Sequence, residues 1–203
     1  MVKDFLTELN EHLLIFSGAL GTELHHRGFL TNLADHLNLT NPEIITQILS
    51  EYKTAGADVL KTNTFGSNFL RLKEFGLEHL VEEINTHAIQ IARQVANNEV
   101  YVAASIGPTG QQFDQLNFDQ AYTAFYQQIS AVAHAGADII LIETMNDIHE
   151  AKIAAIAARE FSLPIVCHLT YEQNNHTLTG TDPRTASVIL STLCDVIGAN
   201  CSY

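Results

Sequence analysis

The feature that most constrains this chain is an alternation, sustained from end to end, of short apolar runs with longer amphipathic stretches. The runs fall at residues 13–16, 57–60, 100–104, 138–142, 164–169 and 195–197. Most are continuous and rich in Val and Ile, the pattern of strands buried on both faces of a parallel sheet. Between them the periodicity becomes helical. Asn41-Pro42 offers an N-cap and a first-turn proline, after which Ile44, Ile45, Ile48, Leu49 and Tyr52 recur at helical spacing until Gly56. Further helices are expected over 77–96, 118–135, 147–160 and 183–193, the last opened by Asp182-Pro183.

Six βα-type units in succession, with no Pro-, Gly- or Ser-rich linker, predict one α/β domain over residues 1–203 with a parallel sheet. Ala55-Gly56-Ala57-Asp58 recurs as Ala135-Gly136-Ala137-Asp138, each time where a helix gives way to a strand. An open doubly wound sheet and a closed barrel both fit this pattern. No G-x-G-x-x-G follows the first run, which weighs against dinucleotide binding. Polar residues instead stand at successive strand ends: Thr62-Asn63-Thr64, Gly107-Pro108-Thr109, Glu143-Thr144, Thr170-Tyr171 and Asn200-Cys201. Barrel enzymes build their sites by that kind of convergence. A full (β/α)8 TIM barrel takes about 250 residues, so some six units make an incomplete one.

Charge and cysteine usage narrow the partners. With 23 acidic and 10 basic side chains the formal net charge is −13, and no Lys/Arg cluster breaks that field. Phosphate backbones and anionic lipid surfaces are repelled by it, so neither nucleic acid nor membrane is an expected partner. The apolar run at 13–16 is too short for a signal peptide or a span, which predicts a cytoplasmic protein. Cys167, Cys194 and Cys201 are odd in number and suggest no disulfide framework; composition alone makes each a small buried hydrophobe.

The strand-end segments carry more information together than apart. They run Phe16-Ser17-Gly18-Ala19-Leu20-Gly21-Thr22-Glu23, then Asp58-Val59-Leu60-Lys61-Thr62-Asn63-Thr64-Phe65-Gly66, then Ser105-Ile106-Gly107-Pro108-Thr109-Gly110. Leu141-Ile142-Glu143-Thr144 with Asp147, Thr177-Leu178-Thr179-Gly180-Thr181-Asp182, and Ile197-Gly198-Ala199-Asn200-Cys201 complete the series. In that order they resemble the zinc-dependent homocysteine S-methyltransferases, above all the homocysteine domain of cobalamin-dependent methionine synthases. The matched patterns include the opening D-G-A-x-G-T and the closing G-x-N-C. The resemblance covers nearly the whole chain. It implies a TIM barrel that moves a methyl group to homocysteine, giving methionine, with Zn²⁺ held by three thiolates and the substrate sulfur in the fourth position. Zinc deprotonates a bound thiol whose free pKa is about 8.5, and an open fourth position marks a catalytic centre.

Residue by residue, the resemblance makes Cys201 the first zinc ligand and Glu143 the acceptor of the substrate ammonium. Asn63 becomes a pocket-lining residue, and Gly18, Ala19, Leu20, Gly21 and Thr22 a tight turn whose N–H groups bind the substrate carboxylate. Asn200 orients the strand end beside Cys201. Cys167 and Cys194 do not match the family's adjacent cysteine pair and are read as packing residues, and His168 as a core histidine. Ser17 stands where the family has Asp, and the sequence reaches Tyr203 without that cysteine pair or the last two βα units. The expectation is therefore a truncated enzyme with an incomplete zinc site, whose methyl donor (methylcobalamin, S-methylmethionine and betaine all serve in the wider family) is supplied by a separate domain. Two alternatives remain. One is a catalytically inactive, amino-acid-binding remnant that folds as a homo-oligomer through unclosed barrel edges at 13–16 and 195–197. The other is an unrelated barrel lyase or decarboxylase with no zinc.

Overall fold

The computed structural model describes residues 3–111 and 117–202. The chain opens with α1 (Phe5–Glu11), started by Asp4, whose carboxylate accepts from the Thr7 N–H at 2.9 Å. Its one buried side chain, Phe5, meets the Tyr101 ring edge-on at 5.6 Å between centroids. The Tyr101 hydroxyl donates to the Lys3 carbonyl at 2.9 Å. The apolar run at 13–16 predicts a full strand, and the structure reduces it to a single parallel bridge, Phe16 to Val59. The next rung of the ladder is made by a side chain: the Lys61 N–H donates to the Ser17 hydroxyl at 2.9 Å. Backbone pairing therefore stops after the Ser17 N–H bond to the Val59 carbonyl, 2.8 Å.

The anticipated turn at residues 18–22 is also corrected. Leu20 begins α2 (Leu20–His26), which buries Leu20 and Leu24, four residues apart, on one face. After a 3₁₀ turn, Ala34–His36, come α3 (Leu37–Thr40), α4 (Pro42–Thr54), β1 (Val59–Lys61) and α5 (Phe69–Lys73). A second 3₁₀ turn, Glu78–Leu80, leads into α6 (Val81–Ala96) and β2 (Tyr101–Ile106). Then follow α7 (Phe118–Ala135), β3 (Ile139–Met145), α8 (Ile148–Ala158), β4 (Ile165–Leu169), α9 (Pro183–Leu190) and β5 (Val196–Ala199). The predicted helix ends hold where local chemistry sets them. Asp182 accepts from the Arg184 and Thr185 N–H groups ahead of Pro183, and α7 stops at Gly136, whose φ of +101° an L residue rarely adopts. Asn41 occupies the N-cap position of α4, although its side chain makes no cap bond and Pro42 alone supplies the start signal.

The five strands are parallel and lie in sequence order, β1-β2-β3-β4-β5. Order never reverses, as it does at the switch point of a doubly wound sheet, and one or more helices follow each of β1 to β4. This is the wall of a (β/α) barrel. Leu60, Val102, Ile106, Ile140, Ile142, Ile165 and Cys167 pack outward against the helices. Val59, Tyr101, Ala103, Ile139, Leu141 and Val166 form a separate inner cluster with Phe5. Each large apolar side chain removed from water contributes about 1.5–3 kcal/mol, so both faces of the sheet are anchored.

The Ala-Gly-Ala-Asp echo has a structural purpose at the opposite end of the barrel. Asp58, Asp138 and Asp195 each stand at a strand's start, and each accepts the N–H at the start of the neighbouring segment: Ile15, Val102 and Ile165 respectively, all at 2.8 Å. One carboxylate per unit thus ties strand to strand where the ladder begins. No helix among the described residues is long and apolar enough to cross a membrane.

Candidate functional site

Side chains alternate along a strand, so the inward positions beyond the apolar inner cluster follow by counting in twos. They are Lys61 on β1, Ser105 on β2, Glu143 on β3 and His168 on β4. The inner face therefore changes from apolar to polar toward the strand C-termini. A cleft of about 670 Å³ opens there. Among its lining residues are Ala19, Leu20, Gly21, Thr22, Asp35, Lys61, Asn63, Phe65, Arg71, Ser105, Glu143, Thr144 and Cys201. Of the substrate and metal residues expected from the sequence, all but Gly18 line it. Gly18 sits against Tyr52, where an added Cβ would come within 2.7 Å of the phenol oxygen.

Glu143 is the hub. It is 7% exposed. Its Oε1 accepts from the Ser105 hydroxyl at 2.6 Å, and its Oε2 accepts from Asn200 Nδ2 at 3.2 Å and Lys61 Nζ at 3.4 Å. A carboxylate this dry loses several kcal/mol of hydration, and it persists only where donors and a counter-charge replace the water. Asn200 also holds Thr144. Its Oδ1 accepts the Thr144 N–H at 3.0 Å, and its Nδ2 donates to Thr144 Oγ1 at 2.9 Å. It therefore clasps the end of β3 to the end of β5, with Cys201 next in sequence.

Local backbone geometry is unusual at this junction. The register of β3 against β4 shifts between Ile142 and Met145, Thr144 has φ +61° and Cys201 has φ +48°. A β-branched residue at positive φ is an outlier, and each such residue stores about 1–3 kcal/mol of strain. The strained pair brings Thr144 Oγ1 to 3.9 Å from the exposed Cys201 thiol.

Asn63 is 7% exposed, and its amide nitrogen is committed to structure: it donates to the Ala34 carbonyl at 2.8 Å and to Asn38 Oδ1 at 3.1 Å. It fastens the end of β1 to the segment that carries Asp35. Ala19, at the N-cap of α2, makes no side-chain cap bond, so the first-turn N–H groups of that helix have no capping side chain, and residues 19–22 line the cleft. Ser17 is 4% exposed, and its hydroxyl accepts the Lys61 N–H.

Sequence reasoning missed Lys61, Ser105, Asp35 and Arg71. Asp35 is 5% exposed; its Oδ1 accepts the Gly66 N–H at 2.8 Å, and burial raises its pKa to about 6 against the opposing pull of that bond and of Arg71. His168, expected in the core, is instead half-buried on the inner face over Gly198. Burial lowers its pKa, the Glu143 carboxylate opposes that shift, and the Lys61 cation adds to it.

Among the described residues no group of three His, Cys, Asp or Glu side chains is placed to hold a metal ion, and Cys201 is the one thiol at the cleft. Cys167 lies on the outer face of β4, where the neighbouring Cys194 thiol and burial push its pKa well above the ordinary thiol value. Both buried cysteines are packing residues of the outer core. The donor set in these residues does not fit a zinc centre.

The homocysteine S-methyltransferase family profile matches residues 14–203. The methionine synthases of Mycobacterium tuberculosis and Mycobacterium leprae are each 29% identical over 223 residues, a match covering 98% of this chain and 18% of theirs. The metallated form of the homocysteine methyltransferase MmuM from Escherichia coli superposes with a TM-score of 0.84 at 22% identity, over 98% of this chain and 78% of that one. The oxidised form of the same enzyme gives 0.87 at 21% identity, over 98% and 77%. The structural likeness speaks for the barrel fold, and the profile for the lineage: this chain belongs to the homocysteine S-methyltransferase family.

Proposed function

We propose that the cleft binds L-homocysteine and that this chain is the amino-acid-binding part of a cytoplasmic homocysteine S-methyltransferase of the methionine synthase type. The observation that carries this reading is Glu143, a buried carboxylate fixed by Ser105, Lys61 and Asn200 in the cleft that Cys201 also lines. A primary ammonium in a partly dry site needs such a partner, and Glu143 takes it. The first-turn N–H groups at Leu20, Gly21 and Thr22 receive the carboxylate. Asn63 holds the wall of the cleft in place. Asn200 sets the position of Cys201, toward which the substrate sulfur points.

Zinc in this family activates the substrate thiol. One thiol at the cleft does not make that centre, so Cys201 acts as a ligand only within a larger set. The methyl donor, methylcobalamin or another, is likewise supplied from outside these residues. That single thiol favours a second reading in which the chain binds the amino acid without transferring a methyl group. Titration calorimetry with L-homocysteine tests the site in either case. Glu143→Ala is expected to raise Kd at least about tenfold, roughly 1.4 kcal/mol. Unchanged affinity in that variant removes Glu143 from the site.

A further inference from the structure

We propose that Lys61 and Glu143 together read the zwitterionic head group of the bound amino acid, Glu143 taking its ammonium and Lys61 its carboxylate. This rests on reading the cleft as an amino-acid site and adds to it a specificity-determining cation. Both side chains project from the inner face into the cleft, and Lys61 Nζ lies 3.4 Å from Glu143 Oε2. The Lys61 side chain is 20% exposed, and Glu143 is the partner of its ammonium among the described residues. An ammonium carries three donors, which leaves capacity for an anion from the cleft.

The charge arithmetic selects the ligand. An amine brought alone to Glu143 would lie beside the Lys61 ammonium, within a few ångströms of a like charge in a partly dry space, and be opposed by it. An acid alone would meet the Glu143 carboxylate in the same way. A zwitterion laid antiparallel on the ion pair meets an opposite charge at both ends, and a head group of net charge zero matches a pair of net charge zero. The first turn of α2 offers N–H groups to the same carboxylate but no whole charge. That helix is seven residues long, and its partial charge is a weak substitute for a whole cation in the same cleft.

The test is calorimetric, on the 203-residue chain, with three probes. L-homocysteine carries head group and thiol; L-2-aminobutyrate carries the head group without sulfur; 3-aminopropanethiol carries amine and thiol without the carboxylate. The wild-type chain should prefer L-homocysteine over 3-aminopropanethiol by at least about tenfold. Lys61→Met should weaken L-homocysteine by about tenfold and bring the two within about threefold of each other, and Lys61→Arg should restore the preference. Equal affinity of the wild-type chain for those two probes overturns the proposal without any variant, as does a Lys61→Met protein that keeps the full preference. In the latter case the homocysteine reading survives. If L-2-aminobutyrate binds as tightly as L-homocysteine and loses affinity in parallel with it in Lys61→Met, the head-group proposal stands and the homocysteine reading falls. Failure of the wild-type chain to bind any of the three overturns both.

Discussion

Asp35 at the rim of the cleft should make the fold pH-dependent in an unusual direction. Its carboxyl is buried in the 3₁₀ turn over Ala34–His36, with the Gly66 N–H on Oδ1 and Arg71 as the cation that faces it. Its pKa is raised from 3.8 to about 6. A raised carboxyl pKa means the folded state holds the proton more tightly than the unfolded chain. The contribution to stability is full below about pH 4 and is lost as pH rises through about 6. A rise of that size corresponds to a cost of about 3 kcal/mol at neutral pH. Asp35→Asn keeps an acceptor for Gly66 and removes the charge. Urea denaturation should show the variant more stable than wild type by about 1–3 kcal/mol at pH 7.5, with the difference shrinking toward zero near pH 4. A difference that stays constant between pH 4 and 7.5 would refute the reasoning, because it would place the effect in packing and not in the buried charge.

Three further outcomes are expected. Asn200→Ala removes the clasp between β3 and β5, and should cost about 1–3 kcal/mol in urea denaturation while weakening L-homocysteine; normal stability and affinity would show that Thr144 and Cys201 hold their positions without it. Asp138→Ala leaves the Val102 N–H without its acceptor and Arg93 without its carboxylate partner, and should lower stability by about 1–3 kcal/mol with no change in homocysteine affinity; a matching loss of binding would mean the two ends of the barrel are coupled. Elemental analysis of the purified 203-residue chain should find well under one zinc per molecule, unaltered by Cys201→Ala, whereas a tightly bound equivalent would point to a ligand set outside the one-thiol account.

Much of the barrel wall is legible in the sequence because local chemistry and burial agree there. Pro42, Asp182-Pro183 and Gly136 mark helix ends without help from distant residues, and continuous apolar runs at 100–104, 138–142 and 164–169 are buried on both faces. Residues 13–16 mislead because Leu13 and Ile15 are exposed and the Ser17 side chain replaces the next backbone rung, neither of which shows in an apolar count. The glycines at 18 and 21 suggest a turn, although Leu20 and Leu24 already carry the four-residue spacing of a helix.

In the site, strand-end position identifies Glu143, Asn63 and Cys201 as residues near the cleft. Their partners are spread over dozens of residues of sequence: Ser105 lies 38 positions from Glu143, and Asn200 lies 57. Lys61 is within reach of pattern reading, since counting two from Val59 places it on the inner face, but a charge at the end of an apolar run reads as a solvated strand end. Asp35 gives no local signal, because its burial depends on Gly66 and the neighbouring loop.

Whether the strand-end cleft holds an α-amino acid by its head group at Glu143, with the sulfur directed at Cys201, is tested most directly by a crystal structure of the chain with L-homocysteine. The predicted density places the ligand nitrogen within hydrogen-bond distance of Glu143, the carboxylate between Lys61 and the first turn of α2, and the sulfur nearest the Cys201 thiol. A ligand bound elsewhere on the barrel, or one whose carboxylate points at Cys201 with its sulfur toward Glu143, would contradict it.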